Sequence, residues 1–147
     1  MRLTRYTDYA LRVLLHLAVH DERLVSIGEI SRAYSISQNH LMKVVQDLSR
    51  TGFVKAVRGR NGGLRLGRPP EEIRIGDVVR HTEDGFQLVD CTTCAVAPAC
   101  TLPRGLNEAT RAFLAVLDRY TLADMTTERD ALRGLLGSPS TVTGLAD

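Results

Sequence analysis

Two short amphipathic segments followed at once by a glycine-rich hairpin constrain the fold of this chain more than any other feature. Apolar residues recur at helical spacing in SIGEISRAY and again in QNHLMKVVQDLSRTG, and only Ser35 to Ser37 separate the two segments. Ser26 and Glu29 form a capping-box pattern at the first segment, and Ser37 is a suitable N-cap for the second. Gly52 is placed to end the second helix. Two short helices joined by so tight a turn predict a helix-turn-helix.

The segment that follows is predicted to be a β-hairpin. FVKAV alternates and is rich in β-branched residues, LRL offers a return strand, and the glycines of RGRNGG between them tolerate positive φ. A hairpin placed directly after the second helix of a helix-turn-helix is a wing. Residues 50–68 carry six basic side chains and no acidic one, although the net charge of the whole chain is only +2. A basic, glycine-rich wing of this kind favours contact with DNA phosphates.

Three further segments have helical spacing: residues 5–20, 75–83 and 103–120. The wide apolar face of the last could pack within the chain, but we favour a two-fold interface that places two recognition helices about one DNA turn apart. The expected fold is therefore mainly α with a small β-hairpin wing. Its expected parts are a winged helix-turn-helix domain at 1–84, a cysteine loop at 85–102, a long dimerisation helix at 103–126 and a disordered polar tail at 137–147.

Side chains near the N-terminal end of the second helix of a helix-turn-helix read base edges in the major groove. Asn and Gln pair bidentately with adenine, whereas Lys approaches guanine or a phosphate. Arginine at a wing tip suits the negative potential of a narrow, A/T-rich minor groove. The residues that we expect to contact a double-stranded DNA operator are Gln38, Asn39, His40, Lys43, Arg58, Arg60 and Asn61.

Several function classes are disfavoured by what the sequence lacks. No stretch approaches the roughly 20 apolar residues that span a bilayer, and the N-terminus has neither an apolar core nor a small-residue cleavage site, so we expect a cytoplasmic protein that does not contact membranes. No Ser-His-Asp set, phosphate loop or pair of acid/base carboxylates is recognisable, and we expect no enzyme. His16 and His20 lie on or beside an apolar helix and are interpreted as ordinary surface or core histidines.

The three cysteines lie within ten residues of one another, at Cys91, Cys94 and Cys100. An odd number of thiols in a chain without a secretory signal argues against a disulfide framework and favours metal or redox chemistry. A structural zinc site normally has four protein ligands, and His81 lies ten residues before the first cysteine. An iron–sulfur cluster is the favoured interpretation, with zinc and free redox thiols as the alternatives.

Several stretches resemble the family of iron–sulfur winged-helix transcriptional regulators. They are MRLTRYTDYALR, NHLMKVVQDLSRTGFVKAVRGRNGGLRLG, IGDVVRHTE, the three cysteines and the late YTLADM, which together span residues 1–126. The run NHLMKVVQDLSRTGFV and the LVDC…PAC setting of the cysteines are most similar to the nitric-oxide-sensing repressors of that family.

The resemblance implies a ligand set and a mechanism. A [4Fe–4S] cluster, or alternatively a [2Fe–2S] cluster, would be held by Cys91, Cys94 and Cys100, with Asp8 of the partner subunit as the fourth ligand; a carboxylate at that position is also favoured by the helix dipole alone. The implied protein is a homodimeric repressor whose effector is nitric oxide. One alternative is a regulator that senses iron or cluster status. A thiol redox enzyme using Cys91 and Cys94 is less favoured, because its C-x-x-C lacks a βαβ context.

Overall fold

The computed structural model describes residues 1–137, in which six α-helices accompany one two-stranded antiparallel sheet. The helices are α1 (Arg5–Val19), α2 (Ile27–Tyr34), α3 (Gln38–Arg50), α4 (Ile75–Thr82), α5 (Leu102–Leu117) and α6 (Arg129–Leu136). The strands are β1 (Val54–Val57) and β2 (Gly63–Leu66), and short 3-10 turns occupy Pro70–Glu72 and Asp124–Thr126. The mainly α fold with a hairpin wing is confirmed. Apart from Gly137, the tail expected to be disordered lies outside the described residues.

The first helix is the centre of the core. Its face of Ala10, Val13, Leu14 and Leu17 is at most 1% exposed, which is the helical stripe that the sequence predicts. It packs against α3, α4 and β2, so the recognition helix and the wing share one support. Each fully buried leucine or valine of this face contributes about 1.5–3 kcal/mol to folding.

The turn between α2 and α3 is tighter than helical periodicity alone can show. Ser35 ends α2 in the left-handed region, with φ 55° and ψ 47°. The amide of Ile36 donates to the carbonyl of Ser31 (3.1 Å), the Ser31 hydroxyl donates back to the carbonyl of Ile36 (2.5 Å), and the Ile36 side chain is buried. These contacts fix the angle between the two helices.

The predicted helix caps have different outcomes. Ser26 caps α2 as expected, since its hydroxyl accepts a hydrogen bond from the amide of Glu29 (3.1 Å). The Glu29 side chain does not complete the capping box; it turns to Arg23 and His16 instead. Ser37 occupies the N-cap position of α3 as predicted, but its side chain makes no capping hydrogen bond. Gly52 follows α3 with φ +85°, the left-handed conformation expected of a glycine after a helix end.

The wing is joined to the helix-turn-helix by more than its own hairpin. Val54 pairs with Leu66 and Val57 with Gly63. The segment before α2 adds a bridge, in which Val25 and Leu64 exchange two backbone hydrogen bonds of 2.9 and 2.7 Å. The bridge therefore holds β2 at Leu64, one residue from the pair that closes onto the tip, while residues 58–62 extend beyond it.

The C-terminal part divides between core and surface. Leu122 is 1% exposed, and its amide donates to the carbonyl of Ile73 (2.8 Å), so the turn after α5 belongs to the core. In contrast, α5 has no buried residue, and Leu102 and Val116 are 58% and 42% exposed. The sequence interpretation did not foresee α6. None of the helices in residues 1–137 combines the length and apolarity needed to cross a membrane.

Candidate functional site

The N-terminal half of α3 presents polar side chains to solvent while its opposite face is buried. Leu41, Val44, Val45 and Leu48 anchor the helix in the core. The predicted base-reading residues lie on the other side and are all exposed: Gln38, Asn39, His40 and Lys43. Within residues 1–137 none of these four side chains makes a hydrogen bond or an ion pair. Their donors and acceptors are thus available to base edges and phosphates.

The wing tip offers a second set of unpaired polar groups. Arg58, Arg60 and Asn61 are exposed, and neither arginine forms an ion pair with any residue of the described range. Gly62 closes the tip because a Cβ there would lie 2.1 Å from the carbonyl oxygen of Val57. Only glycine allows the backbone to fold back so closely, and this turn determines where the two arginines project.

The basic run at 50–68 is not a uniform phosphate-binding surface. The Arg68 guanidinium lies 4.6 Å from the centre of the Phe53 ring and donates to the carbonyl of Thr51 (3.0 Å). Arg50 donates to Asp47 at 2.5 Å. Arg68 therefore stabilises the junction of α3 and the wing, whereas the Arg50–Asp47 pair lies within α3. A charge count cannot distinguish these roles from DNA contact.

Asp47 is the centre of a polar network that sequence reasoning missed. Its carboxylate accepts hydrogen bonds from the Tyr6 hydroxyl (2.7 Å) and from Nε2 of His81 (2.8 Å), in addition to Arg50. Burial by itself raises the pKa of Asp47, but the hydrogen bonds from Tyr6, His81 and Arg50 outweigh it, and the pKa lies below the usual value. The network joins α1, α3 and α4, so it fixes the recognition helix relative to the domain.

The three cysteines share one loop between α4 and α5 and are free thiols, Cys94 and Cys100 exposed and Cys91 half-buried. Backbone turns shape the loop: the amide of Cys94 donates to the carbonyl of Cys91 (3.4 Å), and the amide of Cys100 to that of Val96 (2.9 Å). Among residues 1–137 the thiols do not converge within 4.8 Å as a set, as ligands of a single ion would. Thiolates that bind separate irons of a cluster need not be so close, and the donor set is the soft one that iron–sulfur clusters take.

Asp8 lies in the first turn of α1, as the sequence predicts, and is paired within its own chain. The Arg12 guanidinium holds its carboxylate through two hydrogen bonds of 2.8 and 3.0 Å. The described chain does not bring Asp8 together with its own cysteines as a ligand group. Service as a ligand in a partner's cluster would require Asp8 to release Arg12.

A clamp that sequence reasoning missed joins the start of α1 to the beginning of the cysteine loop. The Glu83 carboxylate accepts hydrogen bonds from the Thr7 hydroxyl (2.6 Å) and from the amide (2.8 Å) and hydroxyl (3.0 Å) of Thr4. Burial raises the pKa of Glu83, but these donors outweigh it and lower the pKa overall. Movement of the loop would therefore be transmitted directly to the first turn of α1.

The side chains of His16, His20 and Glu29 converge between α1 and α2. They are the one group of three metal-ligand side chains in residues 1–137 whose ligand atoms all lie within 4.8 Å of one another. The sequence interpretation treated both histidines as ordinary. Their spacing of one helical turn was the signal that could have identified the group.

The fold, the exposed reading helix and the basic wing define a winged-helix transcriptional regulator. The chain belongs to the Rrf2 family, described as iron-dependent transcriptional regulators, whose profile matches residues 3–128. The predicted resemblance to iron–sulfur winged-helix regulators is thereby confirmed at the level of the family.

Individual relatives are similar over nearly the whole chain. The HTH-type transcriptional regulator NsrR of Bacillus licheniformis is 52% identical over 142 residues, 92% of this chain and 99% of the relative. NsrR of Bacillus subtilis is 50% identical, and the match covers 92% of this chain and 97% of the relative.

Among solved structures, T. potens IscR has a TM-score of 0.74 at 28% identity, over 90% of this chain and 91% of that one. CymR, the global cysteine regulator of B. subtilis, has a TM-score of 0.68 at 27% identity, over 87% of this chain and 98% of that one.

Proposed function

We propose that this protein is a cytoplasmic, homodimeric repressor that responds to nitric oxide and whose affinity for its DNA operator depends on an iron–sulfur cluster. The observation that carries the DNA-binding part is the set of unpaired polar side chains at the start of α3, beside a wing whose arginines are also unpaired within residues 1–137. The sensing part is supported by the three-cysteine loop and by the resemblance to nitric-oxide-sensing repressors.

DNA recognition divides between α3 and the wing. Asn39 and Gln38 have the amide groups that pair with adenine, and His40 and Lys43 extend the same exposed face. Arg58, Arg60 and Asn61 would enter the adjacent minor groove or contact its phosphates. A two-fold dimer through the exposed face of α5 would place two such surfaces on one near-palindromic, A/T-rich operator.

The residues that would hold the cluster are Cys91, Cys94 and Cys100, with Asp8 of the partner subunit as the fourth ligand. We favour a [4Fe–4S] cluster over [2Fe–2S]. When bound, such a cluster supplies iron that is reactive towards nitric oxide. A carboxylate is a hard ligand among soft thiolates, so Asp8 would be the weakest of the four ligands.

The contacts of this chain suggest how ligand loss reaches DNA. Arg12 would hold the Asp8 carboxylate whenever Asp8 is not a ligand, through the two hydrogen bonds that this chain makes. At the same end of the helix, Thr4 and Thr7 are tied through Glu83 to the cysteine loop. Since α1 also supports α3 and the wing, a shift of its first turn changes the placement of both DNA-contacting elements. The effector must favour the weakly binding arrangement for this to regulate anything.

The direct test is operator binding by protein isolated without oxygen. We expect a coloured sample that contains iron and inorganic sulfide, that shifts its operator in a gel, and that loses this affinity after stoichiometric nitric oxide. Unchanged affinity after the reaction with nitric oxide would reject the sensing proposal.

Two variants separate the two halves of the proposal. Cys100→Ser should abolish the cluster and its response, whereas Asn39→Ala should keep the cluster and weaken operator binding. A Cys100→Ser protein that keeps Cys91 and Cys94 would also retain any dithiol redox activity, so loss of regulation in it argues against the enzyme alternative.

A second candidate is regulation by iron or cluster status, favoured by the description of the family as iron-dependent. The same exposed cysteine loop would then lose its cluster when iron is scarce. Titration with an iron chelator, run beside titration with nitric oxide, distinguishes the signals. Release of DNA at low chelator concentration and insensitivity to nitric oxide would favour this candidate.

A further inference from the structure

We propose that His16, His20 and Glu29 form a binding site for a divalent transition metal, with Zn²⁺ the preferred ion, between α1 and α2 and separate from the cysteine loop. The site would use one ring nitrogen of each histidine and one carboxylate oxygen. It lies within the helix-turn-helix domain and serves no step of the proposed cluster-based mechanism.

The geometry is close to that of a three-ligand site. Nε2 of His16 and Oε1 of Glu29 are 3.3 Å apart, which is roughly the spacing of two ligands about 2.05 Å from a tetrahedral zinc. One nitrogen of His20 lies within 4.8 Å of the other two ligand atoms. To bind the same ion, this nitrogen must approach the other two ligand atoms to about 3.3 Å, which requires only a rotation of the His20 side chain. Water would fill the fourth position.

The two histidines lie side by side in the interior of the domain. His16 is 0% exposed and His20 is 5% exposed, and their ring centres are 4.5 Å apart, one turn along α1. Nδ1 of His16 is buried and has no hydrogen-bond partner in the described part of the chain. Nε2, and not Nδ1, is the His16 nitrogen that faces Glu29, so Nδ1 remains without a partner whether or not a metal binds.

The surroundings also prepare the ligands chemically. Burial lowers the pKa of His16, and the neutral imidazole that results is the form that binds metal. Nδ1 of His20 lies 3.0 Å from the carbonyl oxygen of His16, so a proton there would leave Nε2 of His20 with its lone pair. Donation of one ring N–H to a carbonyl is a common way in which proteins orient a metal-binding histidine.

Arg23 competes with the metal and provides the route of entry. Its guanidinium donates to both carboxylate oxygens of Glu29, at 2.9 and 2.5 Å. The side chain of Arg23 is 43% exposed and that of Glu29 is 27% exposed, so Arg23 can swing into solvent and open the site. Loss of the arginine should therefore strengthen metal binding. If Arg23 only stabilised the fold around the site, its loss would weaken metal binding instead.

A bridging water is the rival occupant, because it too can satisfy two imidazole lone pairs. The test is calorimetric titration of Zn²⁺ into the full chain carrying Cys91→Ser, Cys94→Ser and Cys100→Ser, which removes the thiol ligands. The chain with its cluster intact is titrated in parallel. We expect one equivalent per chain in the serine background, and absorption bands of nitrogen- and oxygen-bound Co²⁺ when Co²⁺ replaces Zn²⁺.

The variants identify the ligands. His20→Gln and Glu29→Gln should weaken Zn²⁺ binding at least tenfold, and Arg23→Gln should strengthen it. His81→Gln is the matched control, since it removes an imidazole elsewhere, and it should leave the affinity unchanged. His16 is fully buried, and His16→Gln can fail to fold. In that case the test rests on Glu29→Gln and Arg23→Gln, which change partly exposed side chains. No Zn²⁺ binding in the serine background, or binding that these two changes leave unaltered, would overturn the proposal.

Discussion

At the scale of single residues, Asp47 shows how one carboxylate can fix a recognition helix. It accepts from Tyr6 on α1 and from His81 on α4 while belonging to α3. All three residues are polar and a hydrophobic pattern assigns them no role; they stabilise the fold only because they meet. The side chain is 16% exposed, so solvent screens its contacts only partly.

We predict that Asp47→Asn lowers the free energy of unfolding by about 1–3 kcal/mol near neutral pH, because the donors of Tyr6, His81 and Arg50 lose a charged acceptor. The lowered pKa of Asp47 gives the pH dependence. Its contribution is complete above the ordinary pKa of an aspartate and is lost as the pH falls through the lower value of the folded state. Urea unfolding of both proteins across this range measures the effect. A difference that stays constant down to strongly acidic pH would contradict it.

Asn39 is the residue where the DNA-reading proposal is sharpest. Asn39→Ala should weaken operator binding by about 1–3 kcal/mol, roughly 5- to 150-fold, and should leave binding to unrelated DNA nearly unchanged. Arg60→Ala should instead weaken binding to the operator and to unrelated DNA alike. It should also reduce by about one the number of ions released on binding, measured from the salt dependence of the affinity. Titration of labelled operator at several salt concentrations separates the two behaviours. Equal loss on specific and unrelated DNA by Asn39→Ala would argue against base reading.

At the scale of elements, the wing depends on the backbone of its tip. The approach of Gly62 to the carbonyl of Val57 has no room for a Cβ, whereas Gly59 adopts φ +110° in open space. The strand β2 is held in place separately, by the backbone bridge between Val25 and Leu64. The turn of the tip can therefore be perturbed while the strands keep their position.

We predict that Gly62→Ala opens the tip, displaces Arg58 and Arg60, and weakens operator binding about tenfold, comparable to loss of one good contact. The thermal midpoint should change by only a few degrees, because the tip adds little to the core. Gly134→Ala in α6 is the matched control: nothing lies within 4 Å of its added Cβ, and it should slightly stabilise the helix. A Gly62→Ala protein with full affinity would show that the tip does not contact DNA.

At the scale of the whole molecule, α5 is the element least explained by a single chain. None of its residues is buried, yet Leu102 and Val116 are apolar and exposed. Burying such a face in a two-fold interface would account for its sequence, and it would also space the two recognition helices. The same α5 interface should therefore form the dimer and set the spacing of the two operator half-sites.

Val116→Glu should convert the dimer to a monomer, because a charge would enter the apolar interface unpaired. Operator affinity should then fall sharply, since each half-site would bind alone. Val57→Glu, the same change on the 36% exposed Val57 of β1, should leave the dimer intact. Sedimentation of both proteins with and without operator gives the answer. A Val116→Glu protein that remains dimeric would move the interface elsewhere.

Much of the architecture could be predicted from local patterns. The bounds of α1 and α3, the hairpin and the Gly52 helix end follow from apolar spacing and from the conformational freedom of glycine, both of which act over a few residues. The prediction failed where distant groups compete for one atom. Ser37 makes no capping bond, and Glu29 leaves its capping box because Arg23 and His16 lie within reach. The same limit hid the role of Arg68, which stacks on Phe53 instead of facing solvent.

The sequence by itself determined the class of protein: helical periodicity, a tight turn and a basic glycine-rich hairpin are sufficient for a winged helix-turn-helix, and three spaced cysteines indicate soft-metal chemistry. Only the tertiary structure decided which polar groups meet. It placed Glu83 on Thr4 and Thr7, Asp47 between Tyr6 and His81, and two histidines beside Glu29. The physical reason is that apolar burial repeats with the period of a helix, whereas hydrogen bonds and metal ligands depend on distances between residues far apart in the chain.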